Sequence, residues 1–170
     1  MFLRVTIIFI LFISATLCKA QTDDVCGAIM AITQDAPAKF KNIRGKVLQT
    51  NPGTTIWQSG IKVPGSIGSR FVMSMGLFYE CAFFQSKNKA DLEPVYEKYK
   101  ILLNNCLLHE GYTLSLQPNF YPGIENYKKL VFMTDKVDPK SDGAPAHITM
   151  EATYSKTTGL YTLVMFIFEH

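Results

Sequence analysis

The last third of the chain imposes the tightest constraint. His147–Tyr154 alternates strictly, with Ile148, Met150, Ala152 and Tyr154 on one side and His147, Thr149, Glu151 and Thr153 on the other. Successive side chains of a strand point to opposite faces, so this segment reads as a strand with one apolar and one polar face. Ser155–Gly159 reads as a turn, and Leu160–Phe168 returns as a run that is apolar on both sides. A strand that can bury both faces is expected in the middle of a sheet.

A helix is the next clearest element. Leu92, Val95, Tyr96, Tyr99, Leu102, Leu103, Cys106 and Leu107 recur at steps of three and four, while Glu97, Lys98 and Lys100 fall on the other side. Asp91 is the expected N-cap, and Gly111 follows His109 as the stop. Earlier, Asp23 and Asp24 can cap a first helix with Val25, Ile29 and Ile32 on one face. Pro37 suits the start of a second short helix that carries Phe40 and Ile43 and stops at Gly45. Lys46–Thr50 and Thr54–Ser59 are short strands joined by the turn Asn51-Pro52-Gly53. Gly60–Gly68 is a loop or a broken edge strand, and Arg70–Met75 and Leu77–Gln85 are strands split at Gly76. Tyr112–Leu116 and Lys129–Thr134 complete the set.

A helical segment followed by about four strands thus occurs twice, over about 23–85 and about 91–168. The expected fold class is α+β: an antiparallel sheet of about eight strands, with helices packed on one face and two helix-plus-four-strand units. In this order of elements alone the chain is similar to the secreted inhibitor of β-lactamases. No residue motif accompanies that likeness, so no residue role is carried over.

Residues 1–20 have the layout of a secretory signal peptide. Arg4 supplies the positive start, Val5–Ile13 the apolar run, and Cys18-Lys19-Ala20 the small residues before a cut. Cleavage is expected between Ala20 and Gln21, leaving 21–170 as a single domain that is secreted or periplasmic. An uncleaved anchor would need about 20 apolar residues, and Val5–Leu17 is shorter. A lipidated Cys18 would want a small residue before it, where Leu17 stands. No second run of spanning length follows, so no membrane span is expected after cleavage.

Removing Arg4 and Lys19 takes the 17 basic residues to 15 against 14 acidic ones, a balance of +1. That gives no overall electrostatic reason to expect nucleic acid or an anionic membrane as partner. Three cysteines remain: Cys26, Cys81 and Cys106. Export favours one disulfide and one leftover thiol. Of the three pairings Cys81–Cys106 is preferred, since a strand and the helix after it usually pack together. The alternative is three reduced, buried cysteines that act as small hydrophobes.

Signals for chemistry are sparse. Cys106 and His109 lie three apart on one helix, but Cys106 belongs to the apolar stripe, and a histidine near a helix C-terminus is favoured there anyway. His109, His147 and His170 form no metal-binding pattern, so neither metal nor cofactor is expected. The Asp135–Ala146 loop holds acids and oxygens but lacks the order of a cation loop. No phosphate-binding glycine loop and no nucleophile elbow is present.

The best recognition candidates are aromatic. Gln117–Tyr127 is a long connection with two prolines that carries Phe120, Tyr121 and Tyr127, and Trp57 sits on the first hairpin. Such rings can anchor a partner at low entropic cost. They can equally fold back as a small core beneath the loop. The leading expectation is an exported, non-enzymatic binding or inhibitory module that recognises another protein. The rivals are a small hydrolase that uses Cys106 or Cys81 with a histidine, and a carrier that holds an apolar ligand between sheet and helix.

Overall fold

The computed structural model describes residues 24–116, 125–134 and 147–168. Within them the chain runs α1 (Asp24–Asp35), β1 (Arg44–Asn51), β2 (Thr54–Ser59), β3 (Gly68–Met73), β4 (Leu77–Ser86), α2 (Leu92–His109), β5 (Thr113–Leu116), β6 (Glu125–Met133), β7 (His147–Ser155) and β8 (Leu160–Phe168). The fold is α+β. All eight strands join one antiparallel sheet in the order β1-β2-β3-β4-β8-β7-β6-β5. The final strand is indeed internal, between β4 and β7.

Alternation decides the core. Leu77, Tyr79, Cys81 and Phe83 of β4 are buried, as are Leu163, Met165 and Ile167 of β8 and Ile148, Met150 and Ala152 of β7. They belong to the same hydrophobic cluster as Ile29 and Ile32 of α1 and Tyr96, Leu103 and Leu107 of α2. A single β-bulge at Ala82/Phe84 interrupts the β4–β8 register. Helix α2 has a geometric task as well. It carries the chain from β4, in the middle of the sheet, to β5 at its far edge. That is four strand spacings, about 19 Å. The 18 residues of α2 supply about 27 Å.

Both ends of α2 have local causes, one of them unexpected. Asp91 makes no capping hydrogen bond to the helix. A 3₁₀ turn over Lys89–Asp91 precedes α2, and the Asn88 side chain caps it by accepting from the Ala90 N–H at 3.1 Å. The Asp91 carboxylate instead accepts from Ser86 Oγ at 2.9 Å and Asn88 Nδ2 at 3.1 Å. At the other end Gly111 adopts φ +84°, and the Tyr112 N–H returns to the Leu107 carbonyl at 3.0 Å, a glycine-dependent stop.

The expected short helix after Pro37 is absent. Residues 36–43 form successive turns, and Lys39 and Phe40 adopt φ of 59° and 52°. Left-handed backbone at a bulky residue costs about 1–3 kcal/mol. Burial of the Phe40 ring, 5.0 Å from that of Phe71, offsets this. The buried Asp35 carboxylate holds the turn by accepting from the backbone N–H and side-chain amide of Asn42. Residues 60–67 form a loop that docks on α2. Tyr99 Oη donates to the Gly65 carbonyl at 3.4 Å, and a Cβ at Gly65 would lie 2.5 Å from the Tyr99 hydroxyl.

The placement of α2 makes a measurable prediction. Leu103 is fully buried and Leu108 is 51% exposed. Leu103→Ala should lower unfolding free energy by about 2–5 kcal/mol. Leu108→Ala should change it by less than about 0.5 kcal/mol. Denaturant unfolding of both variants checks this, and equal costs would mean that α2 is not seated as described.

Candidate functional site

The two sheet edges are built differently. β5, on one edge, is a strand of four residues. β1, on the other, has eight residues, all exposed after Arg44. Its register against β2 shifts twice, between Arg44 and Val47 and between Val47 and Gln49. Shortness, bulges and an edge lysine such as Lys46 all discourage another strand from pairing. Both edges are thus poor templates for strand addition, and what β1 offers to solvent is its side chains.

Those side chains are apolar and basic. Val47 and Leu48 are each 54% exposed, Met73 37%, and Met75 is fully exposed in the turn between β3 and β4. Val47 pairs with Trp57 across the ribbon, and Trp57 with Phe71. Trp57 is half-buried and packs against the core, and the Arg44 guanidinium lies 4.6 Å from its ring centroid. The indole is thus a floor that holds a cation, not an open platform. Periodicity could not single out Val47, Leu48, Met73 and Met75. A short strand reads the same whether its apolar side meets a core or water.

The other recognition candidates fare variously. Phe120 and Tyr121 lie outside the described residues. Tyr127 belongs to strand β6, which starts at Glu125, and not to a loop. The acid-bearing connection 135–146 also lies outside the described residues.

The sheet face opposite the shared core carries a second aromatic group. Phe78, Phe166 and Phe168 have ring centroids 5.5–6.0 Å apart. His147, expected as an ordinary polar-face residue, stacks on Phe168 at 4.4 Å and 14°. Ion pairs flank the group, Arg70–Glu80 at 2.7 Å and Lys129–Glu151 at 2.8 Å. These are cross-strand pairs between neighbouring strands, so the face is electrically balanced.

The cysteine expectation needs correction. The disulfide joins Cys26 to Cys106, with Cα atoms 5.6 Å apart, and not Cys81 to Cys106. The cause is that α1 lies alongside α2 and brings Cys26 to it, whereas Cys81 points from β4 into the core. Cys81 remains a buried thiol. Burial pushes its thiol up to about 11. Burial likewise raises the hydroxyl of neighbouring Tyr79. A nucleophilic cysteine needs a thiolate. Cys106 has its sulfur in a disulfide and Cys81 is held protonated, so neither offers one. Among the described residues no group of three or more His, Cys, Asp or Glu is placed to hold a metal ion.

The bond closes a loop of 80 residues, worth about 4.5 kcal/mol by the chain-entropy account of disulfides. Cys26→Ser/Cys106→Ser should lose stability on that scale in thermal or denaturant unfolding. Thiol titration of the unreduced 21–170 chain should find one sulfhydryl in denaturant and almost none in native buffer. Three thiols in denaturant, or a native chain that reacts at once, would contradict the arrangement.

No protein-family model matches the chain, and neither does any curated protein or solved structure.

Proposed function

We propose that this chain is an exported, non-enzymatic module that recognises another protein through the β1–β2 ribbon and the adjoining β3–β4 turn. The observation that carries the reading is where exposed apolar residues collect. Of nine large exposed hydrophobics among the described residues, five lie between residues 47 and 75: Val47, Leu48, Ile67, Met73 and Met75. Isolated exposed leucines are ordinary, but four of these, Val47, Leu48, Met73 and Met75, fall on the edge ribbon and the adjoining β3–β4 turn, and such concentration is the mark of a contact surface. Methionine suits such a surface, because its flexible thioether adapts to an irregular partner. Trp57 and Arg44 add the residue types that most often anchor interfaces.

Export is supported by the leader pattern of residues 1–20 and agrees with a disulfide within the chain. Intact mass of the secreted product tests it. The mass should correspond to residues 21–170, and a retained leader or a lipid on Cys18 would overturn the proposal.

Site-specific photocrosslinking tests recognition. A benzophenone side chain is placed at Leu48, and a control at Ile101, which is 59% exposed on α2. In extracytoplasmic fluid of the source, the Leu48 probe should capture a discrete protein that the Ile101 probe does not. Val47→Asp should abolish that capture while leaving the unfolding midpoint nearly unchanged. Identical patterns at both positions would remove the ribbon as the site.

A further inference from the structure

The near-neutral balance of the whole chain hides a polarised distribution. Between Ala36 and Tyr79 there is no aspartate or glutamate, yet Lys39, Lys41, Arg44, Lys46, Lys62 and Arg70 all fall there. Arg70 is committed to Glu80, which lies just beyond the stretch. The fold gathers most of the others at one corner. Arg44 pairs with Ser59 across the ribbon, and the Gly60 N–H donates to the Ile43 carbonyl at 2.7 Å. Residues 43–44 and 59–60 therefore lie side by side, Lys41, Lys46 and Lys62 each stand two residues from that contact in the chain, and all three are exposed. Val47 and Leu48 continue directly from Lys46.

We propose that this corner docks an acidic protein surface, one that presents Asp and Glu side chains beside apolar ones. The proposal deepens the recognition reading above and rests on it. Charge complementarity selects the partner's sign, and the exposed Val47 and Leu48 require apolar groups next to its carboxylates. Single-stranded nucleic acid is disfavoured because it asks for aromatic platforms between the cations. The one tryptophan is covered by Arg44 at 4.6 Å. An anionic bilayer is disfavoured because each basic residue near such a surface contributes only about 1 kcal/mol, and the strongly anionic leaflet is the cytoplasmic one. Export would remove the chain from it.

The test uses the mature chain and four labelled probes. These are a peptide alternating Glu with Leu, its Lys counterpart, phosphatidylglycerol vesicles and an oligothymidine. The acidic peptide should bind best and weaken about tenfold between roughly 50 mM and roughly 300 mM salt, as exposed charges are screened. Lys41→Glu/Lys46→Glu/Lys62→Glu should weaken it by about tenfold or more, and the milder triple change to Gln by less. Lys87→Glu/Lys156→Glu, at exposed positions outside the corner, should change affinity by less than about twofold. The Gln variant keeps the test decisive should the reversal variant fail to fold. Preference for vesicles or oligothymidine, no binding of the acidic peptide at low salt, or equal loss in the control variant would overturn the proposal. Photocrosslinking at Leu48 that persists through high salt and through the Gln variant would leave the recognition reading standing and sink this inference alone.

Discussion

The pairing of β4 with β8 is the constraint on which the rest depends. It is the seam where two four-strand meanders meet, with partners running from Phe78↔Phe168 to Ser86↔Tyr161 on either side of the bulge at Ala82/Phe84. Each meander forms from neighbours in sequence, but the seam joins strands about eighty residues apart. Its closure must outweigh a large loss of chain entropy for a few backbone bonds. What makes it worthwhile is apolar packing on both faces. Tyr79, Cys81, Met165 and Ile167 enter the cluster shared with the helices, and Phe78, Phe166 and Phe168 pack together on the opposite face. Helix α2 then covers the distance from the seam to the far edge, so its length and stripe follow from the topology.

Much of this architecture is legible in the sequence because it rests on period. The alternation of β7, the two-sided apolarity of β8 and the stripe of α2 each report burial directly, and burial is what the sheet order satisfies. The failures fall where period carries no information. The Pro37 segment looks like a helix start, yet Lys39 and Phe40 adopt left-handed backbone, stabilised by a phenylalanine ring entering the core. Asp91 looks like a cap, but Asn88, three residues earlier, caps a 3₁₀ turn. The disulfide partner could not be found by counting, because it depends on α1 lying beside α2, a tertiary fact.

The candidate site was half legible for a related reason. Trp57 stands out as the single tryptophan, but its place beneath Arg44 needs the register of the ribbon. The exposed apolar residues of β1 and the β3–β4 turn look like ordinary strand composition until the sheet order puts β1 at an edge. The basic corner is invisible in the net charge and visible only when acids are counted along the chain.

The Cys26–Cys106 bond also determines how the molecule bears load. A pull applied at the two ends of the chain passes across the bond and bypasses the 80-residue span it encloses. About 270 Å of contour length is withheld from extension. Strands β1–β4 lie inside that protected span and β5–β8 outside it. While the bond holds, tension therefore extends the chain only through β5–β8, and the span that contains β1–β4 is spared.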